Sequence, residues 1–103
     1  MPVEVVFTPR AVEDISDAFE YIADTLGDPY AAERQATAIA DKTELLADFP
    51  KMGSLIDTQT GIRTEYRRLL CGSYSVFYRF NDNVVRVIRV LHNSRDHIRV
   101  LFG

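Results

Sequence analysis

The sequence holds one cysteine, Cys71, and two histidines, His92 and His97. A single thiol cannot close an internal disulfide or form a Cys-x-x-Cys redox pair, and beside two histidines it gives a zinc site little to build on. No metal and no cofactor are expected. Glycine-rich phosphate loops, metal-ligand spacings and nucleophile–base motifs are missing too, which argues against an ordinary metabolic enzyme. No apolar run approaches the length that crosses a bilayer, and the start Met1-Pro2-Val3-Glu4 lacks a basic region followed by an apolar stretch. The expectation is a cytoplasmic protein with no membrane partner. Repeats, low-complexity tracts and linkers are absent, and 103 residues suit one core, so residues 1–103 are read as a single domain.

Hydrophobic residues make up 47% of the chain and charged residues 26%, enough to bury a core and keep the surface wet, so the chain should fold. The net charge of −3 conceals a division. Residues 1–50 carry three basic residues against eleven acidic ones, whereas residues 51–103 carry nine basic residues, eight of them arginine, against four acidic ones. Arginine's planar fork suits carboxylates and phosphates. Either the two halves neutralise each other within the monomer, or the basic half forms a partner surface.

Local signals divide the chain into elements. Val3 to Thr8 is a β-branched, strand-like run. Thr8-Pro9 is a capping hydroxyl followed by proline at the first helical position, and Val12, Ile15, Phe19, Ile22 and Leu26 then recur at spacings of three and four, predicting a helix that ends at about Gly27. Asp28-Pro29 repeats the start signal, so a second helix folds back antiparallel and should end near Phe49, before Pro50. It shows two apolar seams, one through Ala32, Ala36, Ile39 and Leu46 and one through Ala38, Leu45 and Phe49. Either both seams are covered by the first helix and the sheet, or part of the second stays open for a partner helix. Lys51 to Gly61 reads as a loop. Three strands follow at 64–71, 74–80 and 84–91, joined by short turns and therefore antiparallel. Tyr74, Val76, Tyr78 and Phe80 should face the helices, and Ser75, Phe77 and Arg79 the other way. The fold class is α+β: an N-terminal strand, an antiparallel helical hairpin, then a three-stranded antiparallel meander forming one small sheet.

This order, with Phe49-Pro50-Lys51-Met52-Gly53 after the second helix, Gly72-Ser73-Tyr74-Ser75-Val76-Phe77-Tyr78-Arg79 in the middle hairpin and Arg89-Val90-Leu91-His92-Asn93-Ser94-Arg95-Asp96 near the end, resembles the RelE/ParE toxin superfamily of type II toxin–antitoxin systems. The likeness spans nearly the whole chain. It implies a cognate antitoxin that neutralises the toxin by direct binding, with a DNA-binding N-terminal part and a C-terminal part that wraps the toxin, so that operator DNA is met only through the antitoxin.

The branches of the superfamily imply different chemistry. RelE-like members cut messenger RNA on the ribosome, which needs proton transfer and stabilisation of phosphate charge. They carry an arginine near the end of the second strand and commonly a tyrosine or histidine in the C-terminal segment. Cys71 stands about where that arginine would be, and residues 93–103 contain no tyrosine, although His92, Arg95 and His97 could supply such chemistry. The His-x-x-Arg-Asp ending resembles the ParE branch instead, which implies inhibition of DNA gyrase, no catalytic residues, and a ParD-like antitoxin. An inactive relative that binds antitoxin and poisons nothing is a third reading.

On the ParE reading, Arg67, Arg68, Arg79, His92, Arg95, Arg99 and Phe102 are the candidate target-binding residues. Leu45 and Phe49 would anchor the antitoxin with Tyr66, while Arg68, Arg79 and Arg89 would meet its carboxylates. Each has a structural alternative. His92 could be a strand-end histidine bonded to backbone, Arg95 and Asp96 a cap or ion pair, and Tyr66, Phe77 and Phe102 packing residues. The segment from His92 to Gly103 is expected to carry toxicity more than stability, the alternative being a tail that covers the core or a sheet edge.

Overall fold

The computed structural model describes residues 2–57 and 63–103, with the side chain of Arg63 excepted. Its elements are β1 (Glu4–Phe7), α1 (Pro9–Glu20) running into a π-helical turn (Tyr21–Thr25), α2 (Pro29–Leu45), β2 (Ser54–Asp57), β3 (Arg63–Cys71), β4 (Tyr74–Asn81), β5 (Val84–His92) and α3 (His97–Phe102). Both helix starts form as the sequence signals predict: Thr8 Oγ1 accepts from the Ala11 amide at 3.1 Å and Asp28 Oδ1 from the Ala31 amide at 2.9 Å. The expected α+β architecture is present, with a larger sheet. It has five strands in the order β1-β5-β4-β3-β2, with β1 parallel to β5 and the other pairs antiparallel.

The fifth strand is β2, inside the segment read as a loop; residues 58–61 of that segment lie outside the described residues. Four residues are too few for a period-two signal. The strand forms because β3 offers it an edge, with Ser54 opposite Arg68 and Leu55 opposite Arg67, and because Ile56 is buried beside Phe77 and Leu91. The second helix stops at Leu45, short of Phe49. Its last amides, from Leu46, Ala47 and Asp48, bond three residues back, and the Thr43 hydroxyl draws on the carbonyls of Ile39 and Ala40.

On α1 the buried face is Ala11, Asp14 and Ala18, with Ile15 and Ile22 partly covered, while Val12, Phe19 and Leu26 of the expected stripe are exposed. The two alanines let α1 lie close on β5, and Asp14 is drawn in by partners described below, so the helix rolls away from its larger side chains. In the middle strand the alternation is as predicted. Val76 and Tyr78 join the core beneath the helices, whereas Ser75 and Phe77 point to the opposite, distal face. The β4–β5 turn places Asp82 and Asn83 at φ 52° and 58°, the left-handed conformation that suits those residues in a two-residue hairpin.

Two features finish the sheet. A register shift opposite Phe77 and Tyr78 leaves Ile88 as a bulge, and its carbonyl accepts from Thr8 Oγ1 at 3.0 Å. Past that point β1 no longer covers β5. The Val90 amide donates there to Asp14 Oδ2 at 3.0 Å, so a side chain closes the bare strand edge. Then α3, capped by Asp96 through the Arg99 amide at 3.2 Å, packs Ile98, Val100 and Leu101 against Ile56, Phe77 and Leu91 on the distal face. Among the described residues no helix is long and apolar enough to cross a membrane.

Candidate functional site

The distal face gathers Tyr66 and Arg68 from β3, Ser75, Phe77 and Arg79 from β4, and Phe102 from α3. Arg68 Nε donates to Ser75 Oγ at 3.0 Å, and Ser75 Oγ donates to Asn93 Oδ1 at 2.6 Å. This relay holds the guanidinium 5.9 Å from the centre of the Phe77 ring. His97 stacks on the same ring, 5.2 Å between centroids and 24° between planes. Burial lowers the His97 pKa below its ordinary value, Arg68 adds to the effect, and Asp96 opposes it. Nearer the β4–β5 turn, Arg79 lies 5.6 Å from the Tyr66 ring centre and pairs with Glu65 at 3.0 Å, and Phe102 meets Tyr66 edge-on at 5.1 Å. Arg99 sits exposed on α3.

Arg67 does not belong to that group, since adjacent strand residues point to opposite faces. Its Nη1 donates to the carbonyls of Gly53 at 2.7 Å and Lys51 at 3.2 Å. Tyr78 grips the same turn, its hydroxyl accepting from the Gly53 amide at 2.8 Å and donating to the Pro50 carbonyl at 2.9 Å. Burial raises the Tyr78 pKa. A Cβ at position 53 would lie 2.8 Å from the Tyr78 ring and 2.9 Å from the Arg68 carbonyl, so only glycine fits. Beside the turn, Leu45, Phe49 and Met52 are 45%, 59% and 39% exposed. Phe49, Pro50, Lys51 and Met52 line a hollow of about 480 Å³.

Arg89 is turned inward. Its Nε and Nη2 donate to the two oxygens of Asp14 at 2.7 and 3.1 Å, and that bidentate bond raises its pKa further above the ordinary arginine value. His92 and Arg95 line a cleft of about 350 Å³ with Arg10, Asp17, Tyr21 and Tyr74. The Ser94 amide and hydroxyl both meet His92 Nδ1, at 3.1 and 2.8 Å, so Nδ1 accepts and the ring proton sits on Nε2. His92 also meets the Tyr74 ring edge-on at 5.2 Å.

The candidates therefore fall into three places: Tyr66, Arg68, Arg79, Arg99 and Phe102 on or over the distal face, His92 and Arg95 at the end of β5, and Leu45 and Phe49 beside the Arg67-bound turn. Among the described residues no three of His, Cys, Asp and Glu cluster as metal ligands. Cys71 is buried, which pushes its thiol pKa up and away from reactivity. The distal face presents planar cations and aromatic rings held in place by neighbours.

The family model described as the ParE toxin of type II toxin–antitoxin system, parDE, matches residues 5–97. The chain belongs to the ParE toxin family. Toxin ParE1 of Caulobacter vibrioides is 38% identical to it over 96 residues, covering 86% of this chain and 91% of that one. Among solved structures, the chromosomal ParDE system of P. aeruginosa superposes with a TM-score of 0.69 at 15% identity, over 87% of this chain and 95% of that chain. The toxin–antitoxin complex RelBE2 of Mycobacterium tuberculosis gives 0.66 at 22% identity, over 90% and 100%. At these identities the superpositions establish the shared RelE/ParE fold.

As a ParE-family member the chain is the toxin component of a type II toxin–antitoxin system. Sequence reasoning did not single out Asp14, Asn93, Met52 or Arg86. Asp14 reads as an acid near the positive end of the first helix, Met52 as part of a loop, and Asn93 as a turn residue. For Arg86 a signal was available: with a two-residue turn at 82–83, the hairpin register places it opposite Arg79.

Proposed function

We propose that this toxin inhibits DNA gyrase by binding and is neutralised by a cognate ParD-like antitoxin, with operator DNA met only through that antitoxin. The observation that carries this reading is the match to the ParE family across residues 5–97. The distal face is consistent with it, because Arg68 is anchored by Ser75 and Asn93 in an arrangement suited to docking. Arg68, Arg79, Arg99 and Phe102 would engage the target there, and His92 and Arg95 would do so from the cleft at the end of β5. Leu45 and Phe49 would seat an amphipathic antitoxin segment beside the hollow at Met52.

The test is a supercoiling assay with purified gyrase. Toxin should inhibit supercoiling or trap cleaved DNA, and antitoxin should reverse the effect. One arrangement favours a second reading: His97 and Arg68 share the Phe77 ring on the distal face, an imidazole near a cation whose fork suits a phosphate. Messenger RNA cut in a translating ribosome, with gyrase untouched, would establish that reading and remove the first. Loss of both activities, with antitoxin still bound, would identify an inactive relative.

A further inference from the structure

Arg79 on β4 and Arg86 on β5 are directly opposed across the hairpin. Residues so placed stand about 4.5–5.5 Å apart at Cβ, and like charges there destabilise a sheet. Among the described residues Arg79 has one carboxylate, Glu65, whose side chain is 75% exposed. Arg86 donates to the amide oxygen of Asn81 at 3.0 Å and, among the described residues, has no carboxylate partner. The Arg79 Nε is buried and without a hydrogen-bond partner among the described residues. Two arginines opposed across the hairpin, with one solvent-exposed counter-charge among the described residues, keep an uncompensated positive charge and donors to spare.

We propose that Arg79 and Arg86 together receive one carboxylate of the antitoxin at the β4–β5 hairpin. This rests on the reading of the chain as a toxin held by an antitoxin. Arginine forks match carboxylate geometry, and an anion between the two would turn their mutual repulsion into attraction. A nucleic-acid backbone fits less well, because a row of phosphates needs an unbroken basic stripe and this one is interrupted by Glu65 and by Asp82 in the adjoining turn. The helical hairpin belongs to the half of the chain with eleven acidic residues, so charge steers an acidic segment toward the distal side.

The experiment is calorimetric titration of full-length toxin with its cognate antitoxin, for wild type, Arg79→Gln, Arg86→Gln and the double variant, with melting curves of each free toxin and an anisotropy titration against a short DNA duplex. Each single variant should weaken antitoxin binding by roughly tenfold to a hundredfold, and the double variant by less than the product of the singles, since one carboxylate is shared. Free Arg86→Gln should melt at or above the wild-type temperature, because it removes a like-charge contact. A structural arginine would melt lower, and a fall of several degrees for Arg86→Gln overturns the proposal. So do unchanged antitoxin affinities in both single variants, or arginine-dependent binding that appears only with the duplex. Failure of wild-type toxin to bind antitoxin at all removes the antitoxin reading and this receptor with it; binding that ignores both substitutions removes the receptor alone.

Discussion

On the helical side of the sheet the inward-turned arginines meet their partners within the chain, whereas on the distal side arginines stand beside one another or over aromatic rings. Arg89 and Arg86 sit three residues apart on β5 and show the contrast most directly. Arg89 is bidentate to Asp14, whose carboxylate also takes the Val90 amide. Arg86 faces Arg79 and, among the described residues, reaches an amide oxygen and no carboxylate. The charge that fastens α1 to β5 is matched inside the protein, while those on the distal face are held in place but incompletely matched. The comparison can be broken by substitutions ranked by their expected cost to stability.

The largest cost falls on Asp14. Replacement by alanine strands the Arg89 guanidinium, whose side chain is 15% exposed, together with the Val90 amide. Removing one partner of a buried, hydrogen-bonded pair costs about 3–5 kcal/mol. Urea unfolding of Asp14→Ala should show a loss of that size, and Asp14→Ala with Arg89→Met should recover part of it. If Asp14→Ala costs less than about 1 kcal/mol, the pair acts as a surface ion pair and the contrast between the faces disappears.

Next comes removal of residues 97–103. The structure places Ile98, Val100 and Leu101 on the second cluster, over Phe77 and Leu91. Losing that cover should cost about 2 kcal/mol, which lowers the melting midpoint of a domain this size by roughly 8–15 °C. An unchanged midpoint would make α3 a free arm and favour the expectation that the segment carries toxicity more than stability. Arg99→Gln separates the roles. Arg99 is exposed, so this variant should keep its midpoint and lose growth inhibition if α3 presents charge to the target.

What was legible in the sequence was local. Thr8-Pro9 and Asp28-Pro29 announce helices because cap and proline act within one turn, and alternation through Val76, Phe77 and Tyr78 sorts the faces because a strand has period two. Asp14 could not be read as a core residue, since its partner lies 75 residues away and an acid near a helix start already has a local explanation. Nor could β2, which exists because β3 provides an edge, or the docking of α3, which depends on Phe77 being uncovered on that side. The same limit applied to the candidate site. Arginines could be counted and alternation sets Arg67 apart from Arg68, but Arg89 was separated from Arg68 and Arg79 only by its tertiary partner.

A smaller effect is expected from His97. Its pKa lies below the ordinary value because it is half-buried against Phe77 with Arg68 nearby. The unfolded chain then binds the proton more readily than the folded one, so stability is complete above the unfolded value of about 6.5 and falls as the pH drops through it. Melting midpoints recorded from pH 7.5 to 5 should decline in the wild type and decline less in His97→Gln. Parallel curves for the two proteins would show that the distal cluster does not discriminate against a charged ring.

The smallest effect on the fold is expected at Phe49. It belongs to the helical side, yet it is 59% exposed and lies beyond the point where α2 stops, so it tests whether the contrast follows the face or the depth. A serine there removes an aromatic ring that the core does not enclose, and surface substitutions of this kind stay within about 0.5 kcal/mol. The midpoint of Phe49→Ser should therefore lie within a few degrees of wild type. Antitoxin binding should respond quite differently. An aromatic anchor beside an apolar hollow is the kind of residue whose removal costs about 2 kcal/mol or more at an interface, near thirtyfold in affinity. Titration of Phe49→Ser with antitoxin, set beside its melting curve, gives both numbers. A large loss of affinity at constant stability places the antitoxin's apolar contact at the end of α2. A large fall in midpoint would mean instead that the turn gripped by Tyr78 and Arg67 depends on Phe49, and that the open seam belongs to the fold.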